Sequence, residues 1–294
     1  MQTFAWQGFE FEHPDDWECV RFSKNRARGE CAFTSRNGPR MSLLWSAVAG
    51  NADLRRFVSE ASLQLKKSDA KGRVTAENRN GPGLWTGFEW DGADRLAVAL
   101  THLPNARDAR GLVLQTQFYV DRHLDADVQR RVLQSFRLQN AQPALPAQQT
   151  WRWNAFGCRV RLPREFELAA CEVFPGRAAL TFKTPGRRGR RVKVERLALP
   201  EQQLKGKSVA HWRLSTLEDV TRVIKSCDCA LHSHAGAALE LRPGRPTAIQ
   251  WITRVPRQAR TAAWVCDREQ RLYCAEWEGV AGTAPDIESI LECC

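Results

Sequence analysis

The sequence predicts an α+β protein: an internal duplication of an antiparallel-sheet domain, each copy with a packed helix and a C-terminal helix. Three observations carry this. The opening "FAWQGFEFEHPDDWE" returns as "WRWNAFGCRVRLPREFE", so that Trp6, Phe9, Pro14 and Trp17 find counterparts in Trp153, Phe156, Pro163 and Phe166. One constant spacing relates Pro14 to Pro163, Trp17 to Phe166 and Phe33 to Phe182. Each half also holds short strand-like runs around one amphipathic stretch, the pattern of helices packed on an antiparallel sheet.

The elements follow the same order in both halves. After the aromatic opening come "CAFTS" and "ALTFKT", each feeding a turn, "RNGPR" or "TPGRRGRR", and then a strand, "MSLLWSAV" or "VKVERLAL". In "ADLRRFVSEASLQLKK", Leu54, Phe57, Val58, Ala61 and Leu65 fall on one helical face. In "KSVAHWRLSTLEDV", Val209, Trp212, Leu217 and Val220 do the same, and Ser208 is placed to cap the start. Strands come next: "GLWTGFEW", "DRLAVALT" and "GLVLQTQFYV", then "AALELRP", "TAIQWITRV", "TAAWVC" and "RLYCAEW". Alternation of Leu112, Leu114, Thr116, Phe118 and Val120 gives one of them a buried face.

Each half is expected to close on a short amphipathic helix. "DADVQRRVLQSF" groups Val128, Val132 and Phe136, and "APDIESILECC" groups Ile287, Ile290, Leu291 and Cys294. The predicted domains are 1–138 and 151–294. Between them, 139–150 is an uncharged, proline-interrupted linker able to span roughly 35 Å.

Composition narrows the class. With 294 residues, 43% hydrophobic and 26% charged, the chain has the makeup of a globular protein with room for two cores. No apolar run reaches the length of a spanning helix, so no membrane insertion is expected. The acidic, aromatic opening has no signal-peptide character, which sets the expectation of a cytoplasmic protein. The ten cysteines are then expected as thiols, with Cys19, Cys31, Cys158 and Cys171 as small buried residues. Cys266 and Cys274, symmetric about Gln270, are expected to face each other across a hairpin. The net charge of +11 is uneven: residues 1–150 carry 20 basic and 17 acidic side chains, and residues 151–294 carry 24 and 16.

The early aromatic followed by a "P-x-x-W/F" step (Pro14 to Trp17, Pro163 to Phe166), the central helix and the ending "VLQSF" resemble the PsbP-like superfamily. The similarity is to its bacterial DcrB branch in particular, the family of domain of unknown function 1795. It implies a PsbP-like α/β/α sandwich in each half. Cytosolic members of that branch include adaptor chaperones of type VI secretion effectors, whose paired concave sheets shield apolar effector helices. The resemblance thus implies a protein partner, and a monomer whose two pseudo-symmetric domains share an apolar groove. The candidate partner-binding residues on the sheets are Trp85, Phe88, Trp90, Trp251, Trp264 and Trp277, with core filling as the alternative.

Two other stretches carry chemistry. The turn "PGRRGRRVKV" gathers Arg187, Arg188, Arg190, Arg191 and Lys193 into a basic patch. It suits phosphates, so a nucleic-acid-associated protein is the alternative reading, or an acidic partner. "CDCALHSH" supplies Cys227, Cys229, His232 and His234, a zinc-type donor set. In an extended strand the two thiols would face away from the two imidazoles, and only a turn near Ala230–Leu231 would unite them. The Cys293–Cys294 ending lacks the basic context of a lipid anchor. There is no phosphate-binding glycine loop, G-x-S-x-G elbow or HExxH helix, and His102 and His123 stand apart. No enzymatic activity and no cofactor are therefore expected.

Overall fold

The computed structural model describes residues 1–78, 85–104, 110–121, 124–139, 150–186, 189–217, 220–243, 257–283, 285–287 and 289–293. The chain divides into two compact units, Met1–Leu145 and Pro146–Cys294. Strand is the dominant state, 57% against 16% helix. This corrects the expected α+β fold, the PsbP-like α/β/α sandwich. Each unit is built on a large antiparallel sheet carrying one or two helices, and among the described residues these do not make up a helical layer.

In the first unit the order is β1 (Gln2–Trp6), β2 (Phe9–His13), β3 (Glu18–Phe22), β4 (Arg28–Ser35), β5 (Gly38–Ala49), α1 (Leu54–Ser68) and β6 (Arg73–Asn78). Then come β7 (Thr86–Asp91), β8 (Arg95–Leu103), β9 (Arg110–Tyr119), α2 (Ala126–Ser135) and β10 (Arg137–Leu138). Seven strands form a sheet in the order β3-β4-β5-β9-β8-β7-β6. The β1–β2 hairpin turns on Gln7 and Gly8, both at positive φ, which matches the twist of the strands it joins. It brings Phe4 and Phe11 onto Phe33 of β4, while Phe136, just past α2, stacks on Phe11 at 4.4 Å. Asp53 caps α1 by accepting from Arg55 N–H. The predicted apolar face of α1 then lies on Phe88, Trp90, Leu96, Val98 and Leu100.

The second unit runs β11 (Thr150–Ala155), β12 (Cys158–Pro163), β13 (Glu167–Phe174), β14 (Arg177–Lys183), β15 (Arg191–Ala198), α3 (Pro200–Leu204) and α4 (Val209–Thr216). It continues through β16 (Val220–Leu231), β17 (His234–Pro243), β18 (Arg257–Cys266), β19 (Arg271–Val280) and β20 (Leu291–Glu292). Its seven-stranded order, β13-β14-β15-β19-β18-β17-β16, is that of the first sheet, position for position. The β11–β12 hairpin also turns on two positive-φ residues, Phe156 and Gly157. One sheet face carries Phe182, Trp264, Tyr273 and Trp277, with Trp153 of β11 edge-on to Phe182 at 5.0 Å. The other face carries Leu197, Ala263, Leu272 and Cys274 beneath Trp212 of α4.

Helix α4 is shorter than expected, ending at Thr216, and Val220 opens β16 instead. The C-terminal helix of the second unit does not form among the described residues. Ser289 and Ile290 N–H groups bond back three residues to Asp286 and Ile287, and the chain then extends as β20 against Val160 and Arg159 of β12. Pairing buries Ile290, Leu291 and Cys293 directly, which four apolar residues spread over a short helix would do less completely.

Candidate functional site

The sheet aromatics proposed as partner-binding residues lie inside their units. Trp85, Phe88, Trp90, Trp264 and Trp277 are all buried, the most exposed of them at 5%. Phe88 and Trp90 lie under α1. Trp85 donates its indole N–H to the Leu133 carbonyl of α2 at 2.9 Å. Trp264 stacks on Tyr273 at 5.7 Å. This corrects the expectation of an open aromatic face: the protein's own helices and strands take the place of an apolar partner. Trp251, Arg187 and Arg188 lie outside the described residues, as does His123.

The CDCALHSH segment does not assemble as a four-ligand centre. It is a hairpin turning at His232–Ser233, both at positive φ, two residues beyond the anticipated turn. Cys227 is exposed and its thiol faces the Ala238 carbonyl at 3.7 Å. His232 lies over Trp264, with ring centroids 5.1 Å apart. Cys266 and Cys274 are also out of register: Cys266 faces Arg271 and Cys274 faces Ala263, because the turn comes earlier than symmetry about Gln270 requires. None of the described cysteines is in a disulfide. Burial pushes the Cys158 thiol up to about 12 and that of Cys19 to about the same value, leaving both unreactive near neutral pH.

Among the described residues, one half of the second sheet's outer face is left open. Helix α4 covers β17 and β18 and anchors itself through Arg213. That buried guanidinium donates to Thr261 Oγ1 at 2.8 Å and to Glu276. Beside it, over β13, β14 and β15, the same face carries a hollow of about 630 Å³. Alternation builds it. In β14, Leu180 and Phe182 point into the core, while Ala179, Thr181 and Lys183 line the hollow. In β15, Val192 and Val194 are core residues, and Arg191 and Lys193 line it. Ala169, Ala170 and Ala179 make a floor of small side chains, so depth comes from what these residues lack.

The rim is cationic. Lys183 and Arg191 are cross-strand partners, as are Thr181 and Lys193, and Arg190 enters from the turn. Lys193 meets Glu195 at 3.2 Å, and Arg177 meets the same carboxylate at 2.7 Å. Glu195 is buried, which alone would raise its pKa, but these two cations outweigh burial and hold it below the usual carboxylate value. Arg190 pairs with Glu165 and lies over the Phe166 ring at 5.3 Å. Among the described residues the lining has two acids, Glu172 and Glu278, against four cations. The matching pair in the first unit, next to Phe33 as Thr181 and Lys193 are next to Phe182, is Ala32 and Ser42. The basic hollow is thus a feature of the second unit's own sequence.

Arg190, Arg191 and Lys193 were legible as a basic turn, and the structure brings them together. Lys183, Thr181 and the alanine floor were missed. The alternation of Leu180 and Phe182 with Thr181 and Lys183 was the available signal, since it marks a strand whose second face is polar. In the first unit a smaller hollow of about 190 Å³ lies between α2 and β7–β8, reached by Trp85, Gly87 and Leu133. Among the described residues no helix is long and apolar enough to cross a membrane.

No protein-family model and no curated protein matches the chain. The expected PsbP-like and DcrB membership therefore finds no support there. The solved structures to which the chain is similar include these three. One is the apo immunity protein TplEi of the type VI secretion system of Pseudomonas aeruginosa, at 11% identity over 92% of this chain and 90% of that one, TM-score 0.38. The same protein complexed with "L" peptide gives 10%, the same coverage and 0.38. The Tle4–Tli4 complex gives 11% over 97% of this chain and 89% of that one, with TM-score 0.40.

Proposed function

We propose that this is a non-enzymatic binding protein that holds an acidic segment of a protein partner in the hollow over β13–β15. The observation that supports it is the pairing of a small-residue floor with a rim of Lys183, Arg190, Arg191 and Lys193 on a half-sheet that no other described element covers. Such a rim steers an acidic partner into place, and Glu172 and Glu278 add charge selectivity within it. Among the described lining residues there is no aromatic to offer nucleic-acid bases a stacking platform, and this favours protein over nucleic acid. A type VI secretion effector is the partner class the sequence resemblance implies, with this protein as its adaptor or chaperone. The buried aromatics move the contact away from apolar helices and toward charge.

The test is charge reversal at Lys183 and Arg191, whose side chains face each other across the rim. The double variant K183E/R191E is expected to keep its fold and to lose at least about tenfold in partner affinity, about 1.4 kcal/mol. Retained affinity, or binding that transfers to a DNA or RNA oligonucleotide in low salt, would displace the reading.

A further inference from the structure

We propose that His234, Cys266 and Cys293 form a zinc site that ties the C-terminal end of the second unit to its sheet. One imidazole nitrogen and two sulfurs of these residues lie within 4.8 Å of one another. Their positions follow from the topology. Gly236 faces Trp264 across β17–β18, and two further steps of that register set His234 opposite Cys266. Cys293 arrives from the other side, directly after β20 pairs with β12.

The donor chemistry suits zinc. Tetrahedral zinc holds sulfur at about 2.3 Å and imidazole nitrogen at about 2.0 Å, so its donors stand roughly 3.5–3.8 Å apart. The trio needs to close by about 1.3 Å at most, within the reach of side-chain rotation. Cys266 is fully buried and Cys293 is 6% exposed, so bound metal would sit in a dry site that favours thiolate ligation. Trp264 already donates its indole N–H to the Cys293 sulfur at 3.4 Å, the kind of outer hydrogen bond that orients a metal-bound thiolate. On the same indole lies His232, whose buried Nε2 has no hydrogen-bond partner. That orphaned nitrogen is the second sign of a missing group in this corner. A similar cluster, Glu195, Cys274 and Glu276, carries no such proposal, because the Arg213 guanidinium already bonds Glu276 there.

Three protein ligands leave a fourth position for water or for His232. Since both cysteines must ionise to bind, affinity is expected to rise with pH and binding to release protons. The experiment is zinc titration of chelator-stripped, reduced full-length protein, with Co²⁺ as a spectroscopic stand-in. One equivalent of zinc, a thiolate charge-transfer band with Co²⁺, and a raised Tm on zinc addition are expected. Cys266→Ser, Cys293→Ser and the half-exposed His234→Ala should each weaken zinc by at least about 100-fold, the upper end of what losing even an outer-shell partner costs. Cys227→Ser should bind as the wild type does. Failure to take up zinc, equal affinity in His234→Ala, or dependence on Cys227 instead would overturn the proposal.

Discussion

His13 makes the stability of the first unit depend on pH in a definite window. The imidazole is 4% exposed and lies among Phe4, Phe11 and Phe33, with ring centroids 6.3, 6.0 and 5.1 Å away. Burial among these rings lowers its pKa from 6.5 to about 4, against the opposing pull of the Pro14 carbonyl, Asp15 and Asp16. Its Nδ1–H donates to that carbonyl at 2.9 Å. Between those two pH values the unfolded chain binds a proton that the folded one does not. The contribution is therefore whole above pH 6.5 and is lost as pH falls toward 4. The separation corresponds to roughly 3 kcal/mol. Urea denaturation of the wild type and His13→Phe, at pH steps from 7.5 to 4, isolates the effect. The phenyl ring keeps the volume but has no proton to take up, so the variant should lose the part of the acid sensitivity that falls in this window. Parallel curves for the two proteins would refute the reasoning.

Four further outcomes are expected. Gly87→Ala should destabilise by about 3 kcal/mol or fail to fold, because a Cβ there would fall 1.9 Å from the Val98 carbonyl oxygen, a backbone atom that cannot step aside; thermal unfolding reads this directly. Ser233→Gly should stabilise by about 0.5 kcal/mol, since Ser233 sits at φ +65° in the two-residue turn between β16 and β17 and glycine adopts that conformation without strain; a lowered Tm would contradict it. Glu276→Gln leaves the Arg213 guanidinium, 2% exposed, without its carboxylate and should cost about 3 kcal/mol. Arg213→Met at the same site should cost less, because it removes the buried charge as well.

Much of the architecture could be read from the residues. The spacing that pairs Phe33 with Phe182 foretold strands that occupy the same place in two sheets of one order. The apolar face of α1 was legible because amphipathic periodicity survives wherever one side meets a core. Strands β6 and β16 were not, since both are edge strands, rich in polar and charged residues, whose backbone pairing leaves no alternation to detect. "APDIESILECC" misled because four apolar residues in a short stretch suit a helix and an edge pairing equally, and only the neighbouring β12 decides between them. The aromatics misled for a different reason. Trp90 reads the same whether a foreign helix or the protein's own α1 covers it. The basic turn was visible, but the depth of the hollow came from Ala169, Ala170 and Ala179, which are silent in a sequence. The trio of His234, Cys266 and Cys293 is brought together by strand register, so "CDCALHSH" shows only one of its members, His234.

The central claim is that a protein partner occupies the hollow over β13–β15. Its most direct test places a photo-crosslinking amino acid at Thr181, inside the hollow, and at the half-exposed Ser62 of α1, in the cells that make the protein. The account predicts a single protein adduct at Thr181, absent at Ser62 and abolished by K183E/R191E. Adducts of equal yield at both positions, or a nucleic-acid adduct at Thr181, would contradict it.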